Sequence, residues 1–588
     1  MRVARHPLSF LAFLLLLNLA GAGRNLHDRK DVHETRPDPL AKLLRDLKDS
    51  FTPAAAPPGS EQELDQLRKR VKRMFYHAYD NYIMHAFPHD ELLPLSCSFI
   101  DNFGSYALTL VDSLDMLAVL GNRTEFARAV GLLKKHLSFD KDVQVSVFET
   151  NIRVLGGLLS SHLLARDPKL KLMDDYDGFL LKKALELGER LLPAFDTPTG
   201  IPYGTINLRS GVAVGETTIT SSACAGTLML EFGMLSRLSG RGEFERVAKR
   251  SLLALWSRRS SMGLIGAHLD IMTGQWTHKD SGVGTSIDSF YEYLIKSYIL
   301  YGEDEFLFLF QQAYHSAKAL LAKSPWYVDV NMESAQLVWP IYNSLQSFWP
   351  AIEVIAGNLK DASETHSAFY GVWRRYGYTP EGYNLADGRV QQGQRSYPLR
   401  PELIESTMYL YQATRDPHYV QVGRDILSSL EQTRVPCGHA AIEDVETHLL
   451  QDKMDSFFLS ETLKYLYLLF TPRHWALNGS FVFSTEGHPL PLQQLPGDRF
   501  TSSAGFSSLP KFPNPFYDHH HQQQQHHHHH QHGRDDEQSQ DGESSCQTIS
   551  MKEEELHAVQ NESSDVTDGL YDCTLPRPTL CLDRNASM

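Results

Sequence analysis

"LAVLGNRTEF", residues 117–126, holds the reading that decides the fold. An apolar helix runs into a short polar turn, and an aromatic residue then opens an amphipathic helix. The same order returns in "LSRLSGRGEF" (235–244), "YILYGEDEF" (298–306) and "LYQATRDPHY" (410–419). The aromatic positions are Phe126, Phe244, Phe306 and Tyr419, spaced 118, 62 and 113 residues apart, close to two, one and two units of some 57 to 62. Turns that fill the gaps fall at "LLARDPKL" (163–170) and "IAGNLKDASETH" (355–366). A period of this size marks a repeat architecture. Each unit reads as an αα-hairpin, one apolar helix followed by one amphipathic helix. The apolar helix cannot face water and the amphipathic one can cover it. The span 71–490, some 420 residues, holds seven such units. The expectation is an all-α toroid with apolar helices inside, an open solenoid being the alternative.

The flanks differ in composition. Residues 1–22, "MRVARHPLSFLAFLLLLNLAGA", carry Arg2 and Arg5, an apolar run and an A-x-A end, the pattern of a secretory signal peptide cut near Ala22. A short uncleaved membrane anchor is the alternative reading. Residues 23–70 are expected to be a polar, Pro-rich linker, and 491–588 a disordered tail whose "HHHQQQQHHHHHQH" and acidic, Ser-rich stretch lack the apolar content of a core. Sequons at Asn122, Asn478, Asn561 and Asn585 and six cysteines agree with a lumenal or extracellular setting. With 56 Lys+Arg against 71 Asp+Glu the net charge is −15, which disfavours nucleic acid or an anionic membrane as the main partner.

Acidic residues recur near the starts of the apolar helices: Glu149 in "VFETNIRVLGGLLSSHLL", Asp288 in "SIDSFYEYLIKSYIL", Glu402 in "RPELIESTMYLY", and Asp455 with Glu461 in "MDSFFLSETLKYLYLLF". An acid in a helix's first turn suits the macrodipole and alone needs no further role. Several on otherwise apolar helices that point the same way converge on one mouth of a toroid. Arg153 four residues after Glu149, and Arg400 two before Glu402, offer ion pairs there. Paired carboxylates in a pocket suit general acid and base work, because burial and mutual repulsion separate their pKa values. Glycoside hydrolysis is the leading reaction of that type.

At these residues the chain resembles glycoside hydrolase family 47, the class I α-1,2-mannosidases, and within it the ER degradation-enhancing α-mannosidase-like group. "MFYHAYDNYIMHAFPHDEL", "SYALTLVDSLDMLAVLGN", "DSFYEYLIKSYILYGE", "YPLRPELIESTMYLYQAT" and "FSTEGHPL" carry the likeness, beside the motifs already quoted. The resemblance implies an (α/α)7 barrel over 71–490. It implies Glu149 as general acid through a water, Glu402 as base, Asp288 as a further essential carboxylate and Glu381 as an additional acidic position. It further implies that Thr485 ligates Ca2+ with its carbonyl and hydroxyl oxygens, and that Glu405, Glu461 and Glu486 hold the surrounding waters and sugar hydroxyls. Arg153, Arg400 and Phe457 match mannose contacts, and Cys97 with Cys437 matches a long-range disulfide. The chemistry implied is inversion, with acid and base roughly 6.5–9.5 Å apart to admit water. The processing enzymes carry an Arg two residues before Asp288, where this chain has Ser286. The run around Cys224 departs from the group's usual pattern. The resemblance implies an ER-lumenal protein that trims high-mannose glycans on misfolded N-glycoproteins. Its expected partners are a protein disulfide isomerase-type oxidoreductase and the membrane dislocation and ubiquitin ligase machinery.

Overall fold

A computed structural model describes residues 61–492. Outer helices Glu61–Asn81, Arg123–His136, Phe179–Leu191, Glu243–Trp256, Asp304–Leu320, Leu359–Tyr376 and Pro417–Gln432 surround inner helical segments that begin near residues 108, 147, 222, 288, 344, 402 and 458. This is the (α/α)7 barrel, closed rather than solenoidal. The division follows the side chains. On Phe179–Leu191 only Phe179, Leu180, Ala184, Leu187, Gly188 and Leu191 are buried, one stripe at helical spacing. On Asp288–Tyr301 nearly every residue is buried, so that helix has no solvent face to spend on polar groups.

The quoted turns are where the chain passes from inner to outer helix. Asn122 caps Arg123–His136 by accepting from the Glu125 N–H at 3.1 Å. Asp416 caps Pro417–Gln432, with Pro417 in the first turn, where a missing N–H costs nothing. Gly240 and Gly302 end their inner helices in the left-handed conformation, φ 74° and 70°, which a Cβ would strain. The opposite connections are longer and fold into short antiparallel strands, such as Gln144–Ser146 against Thr205–Asn207 and Ile341–Asn343 against Gly382–Asn384. Each pair joins successive connections, and these lie ahead of the inner helices, so one end of the barrel carries strand pairs and hairpins and the other short turns.

Two expectations need correction. The first helix begins at Glu61, so 61–70 is barrel and not linker. Its charges, "EQELDQLRKR", read as linker, yet Leu64, Leu67 and Val71 sit at helical spacing and are buried. The unit order also fails once. Among the described residues no amphipathic helix follows the last inner segment, Leu463–Leu469; Glu61–Asn81 takes that place instead, with Arg68 Nη1 donating to the Phe470 carbonyl at 3.0 Å. The seventh hairpin is therefore assembled from the two ends of the barrel sequence. The signal peptide, most of the linker, the tail from 493, Asn561 and Asn585 lie outside the described residues.

Cys97 and Cys437 form a disulfide, Cα atoms 5.4 Å apart across 340 residues. It joins the hairpin Glu91–Leu93/Ser98–Ile100 to the turn between Arg434–Val435 and Gly438–His439. Cys224 is buried. Asn478 is exposed. Asn122, by contrast, already donates its amide to the Tyr76 hydroxyl at 2.8 Å besides capping its helix.

Candidate active site

At the hairpin end a cavity of about 950 Å³, mouth included, opens among the first turns of the inner helices. Glu149, Arg153, Asp288, Arg400, Glu402, Glu405, Phe457, Glu461, Thr485 and Glu486 line it, together with Ser286 and Glu292. Two of its walls are π-helical turns, Thr150–Leu155 and Phe458–Thr462, which carry Arg153 and Glu461. Such turns interrupt an α-helix where a side chain must be re-aimed, often at functional sites. Two non-glycine residues just ahead of the acids are left-handed, Ser286 at φ 71° and Leu399 at φ 65°. The Ser286 carbonyl accepts from Ala223 N–H at 2.7 Å and the Leu399 carbonyl from Thr462 Oγ1 at 2.7 Å, so neighbours hold both in place.

The arginines organise the walls. Arg153 Nε donates to Glu149 at 2.7 Å, and its Nη1 donates to Glu486 at 2.8 Å. Arg400 makes a two-pronged contact with Glu381, at 2.5 and 2.7 Å, and its Nη1 lies 3.8 Å from Glu402. Both guanidinium groups stand over the Phe457 ring, 5.2 and 5.8 Å from its centroid. Glu381 does not line the cavity. Its carboxylate is taken up by Arg400 and by Ser344 Oγ at 2.9 Å, so in this structure it holds the Arg400 side chain.

The acids outnumber the cations here, and their proton affinities show it. Burial pushes Asp288 up to about 7, against the Ser289 N–H that favours its charged form. Burial also pushes Glu402 up to about 7, with Arg400 pulling the other way and Glu381 and Asp288 adding repulsion. Glu405 is raised by burial although Lys296 stands 3.8 Å away, because Lys296 is paired more closely with Glu292. Glu461 is raised well above the usual carboxylate range by burial and by Glu486, and Glu486 is raised likewise by burial and by Asp112 and Glu149 against the pull of Arg153. Neutral carboxyls at pH 7 donate protons and ionised ones accept them, so the pocket holds the two forms that acid–base chemistry needs.

Below the pocket, the strands Phe481–Phe483 and Pro489–Pro491 form a hairpin whose tip, Ser484–His488, enters the barrel from the short-turn end. Thr485 is partly exposed to the cavity in a tip otherwise buried. Oxygen groups and surplus negative charge around it suit a hard divalent cation. Among the described residues no group of three or more His, Cys, Asp or Glu converges to hold a metal directly, so an ion there would lean on Thr485 oxygens, water and ligand hydroxyls.

Beneath the tip lies a charged group that sequence reasoning did not single out. His488 Nδ1 is 2.7 Å from Asp115 and its Nε2 3.3 Å from Asp112, while Lys464 Nζ is 2.7 Å from the other Asp115 oxygen. All four side chains are fully buried. The two aspartates hold His488 up at about 9 against burial, which keeps it charged. The signal was present in "LVDSLDM": two aspartates three residues apart in an apolar helix must be paired once buried.

The family model for glycosyl hydrolase family 47 matches residues 74–492. Alpha-mannosidase I MNS4 of Arabidopsis thaliana is 52% identical over 491 residues, 82% of this chain and 75% of that protein. ER degradation-enhancing alpha-mannosidase-like protein 2 of Homo sapiens is 44% identical, covering 74% of this chain and 79% of that protein. Among solved structures, an alpha-1,2-mannosidase from Trichoderma reesei superposes with a TM-score of 0.67 at 27% identity, over 73% of this chain and 99% of that one.

Proposed function

The chain belongs to glycosyl hydrolase family 47, and from that premise we propose that it is an inverting, calcium-dependent α-1,2-mannosidase of the ER lumen. Its substrates in this reading are high-mannose glycans on misfolded N-glycoproteins, which trimming commits to degradation. The observation that carries the proposal is the convergence of Glu149, Asp288 and Glu402 on one cavity with Arg153, Arg400 and Phe457. An aromatic ring framed by two guanidinium groups suits a sugar, with an apolar face for the ring and donors for its hydroxyls.

Glu402, ionised above about pH 7, takes the proton of the attacking water. Asp288, at the same threshold, shares that task or orients the water. Glu149, fixed by Arg153, supplies the proton of the leaving oxygen through a second water. Glu381 holds Arg400 and so fixes the sugar's other edge. Calcium bound at Thr485 would hold vicinal mannose hydroxyls and offset the negative charge of Glu461 and Glu486. An oxidoreductase and the dislocation and ligase machinery are the partners this role requires.

The test is mannose release from a high-mannose glycoprotein, native and denatured, with calcium or a chelator, beside Glu402→Gln. Calcium-dependent release that the variant loses supports the reading; no release from either form, with an oxidoreductase added, overturns it. One observation favours a second reading, a mannose-binding receptor of low turnover. Ser286 leaves that wall of the pocket without the Arg that the resemblance associates with processing enzymes. A receptor keeps delivering clients to degradation as Glu402→Gln, and a mannosidase does not.

A further inference from the structure

A hairpin that plugs a barrel must have its tip held at one height if Thr485 and Glu486 are to meet the pocket. We infer that His488 is the positioning residue that sets this height, and through it calcium affinity and substrate KM, without touching the reacting sugar. The inference rests on the reading of Thr485 as a calcium ligand.

The ring of His488 fills a slot cut into the inner helix Gly156–Arg166. A Cβ on Gly156 would stand 2.8 Å from His488 Cδ2; one on Gly157 would stand 3.3 Å from Cε1 and 2.7 Å from the Val111 carbonyl. Adjacent glycines are poor helix formers, and their place in a buried helix is explained by the ring that occupies their side-chain space. The charges then fix the ring's rotation: Asp115 and Asp112 face its two nitrogens, and Ser160 Oγ braces Asp115 at 2.9 Å.

The same group holds the tip's backbone. Lys464, paired with Asp115, donates to the Gly487 carbonyl at 2.7 Å. The His488 N–H donates to Ser484 Oγ at 3.2 Å, and the Ser484 N–H returns a bond to the His488 carbonyl at 3.0 Å. Residues on both sides of Thr485 and Glu486 are thus pinned to three inner helical segments. A buried charged group is weak evidence of stabilisation, and its better-attested use is to select one geometry among several.

The experiment uses the full chain and reads the unfolding temperature across a calcium titration, with KM and kcat measured in parallel. Gly156→Ala pushes on the ring and leaves every charge in place; His488→Gln removes the ring and its charge. Both are expected to raise the calcium concentration for half-maximal stabilisation at least tenfold and to raise KM, with kcat changed less than threefold. Leu235→Ala, a core truncation away from the tip, should lower the unfolding temperature and leave the calcium midpoint alone. A wild-type calcium midpoint in Gly156→Ala overturns the inference, whether or not His488→Gln folds. If the wild type itself gives no calcium response, the calcium reading falls and takes the inference with it. A wild-type response with unshifted variants sinks the inference alone.

Discussion

The pocket and the layer beneath it use the same acids to opposite ends. In the pocket, Asp288, Glu402, Glu405, Glu461 and Glu486 crowd together with too few cations, and burial holds their proton affinities high. Beneath it, two acids, Asp112 and Asp115, meet two bases, His488 and Lys464. The upper layer stores unpaired proton affinity that a substrate, water or ion can use. The lower one fixes a shape instead. Asp288 and Glu402 open partly to the cavity, but Glu405, Glu461 and Glu486 are buried much as the lower layer is, so among these deep carboxylates pairing and not depth separates the two kinds.

That contrast can be broken by mutation. The largest effect is expected from Glu402→Gln, which should lower kcat about a thousandfold in mannose-release assays. Asp115→Ala should instead cost about 3–5 kcal/mol of stability by denaturant titration, since it strands Lys464 and His488 without their partner. A match in sign between these two variants' stabilities would erase the distinction. A sharper version uses pH. Asp288 and Glu402 bind protons more tightly folded than unfolded, so their contribution to stability is present below the ordinary carboxylate range and lost as pH rises through about 7. Glu402→Gln should therefore be more stable than the wild type at pH 8 by about 2 kcal/mol, and the gain should vanish at pH 4. The smallest effect is expected from Glu381→Gln, about a tenfold loss in kcat/KM, as Arg400 loses one charge-assisted bond.

Legibility in the sequence followed the same division. Glu149, Asp288, Glu402, Glu405 and Glu461 could be found because a charge in an apolar helix is a local anomaly, Glu486 on the hairpin tip came only with the family resemblance, and the structure brings all six to one cavity. Glu381 could be found but not placed. It stands beside Gly382–Asn384 on a hairpin, and only the fold shows that Arg400 absorbs it. His488 and Lys464 escaped because each has its partner hundreds of residues away, where no spacing rule reaches. The turns at Gly121–Asn122, Gly240, Gly302 and Arg415–Asp416 were legible as local capping chemistry. The mouth hairpins were not, since strands of two to four residues are shorter than any period they could display. Glu61–Asn81 reads from the sequence as beginning only at 71, because the charge density of its first turns masks the spacing of Leu64 and Leu67.

The helix that completes the ring is the first of the barrel to leave the ribosome, and its seat is the last to be made. Arg68 cannot reach Phe470, nor can Asp115 reach Lys464 and His488, until almost all of 61–492 has been synthesised. Domains generally fold as units during synthesis, and contacts of long sequence separation come late. A nascent chain halted at residue 450 would hold most of its hairpins and yet have neither floor nor closure. Such a chain presents an open arc of apolar helices, the kind of surface that quality control retains.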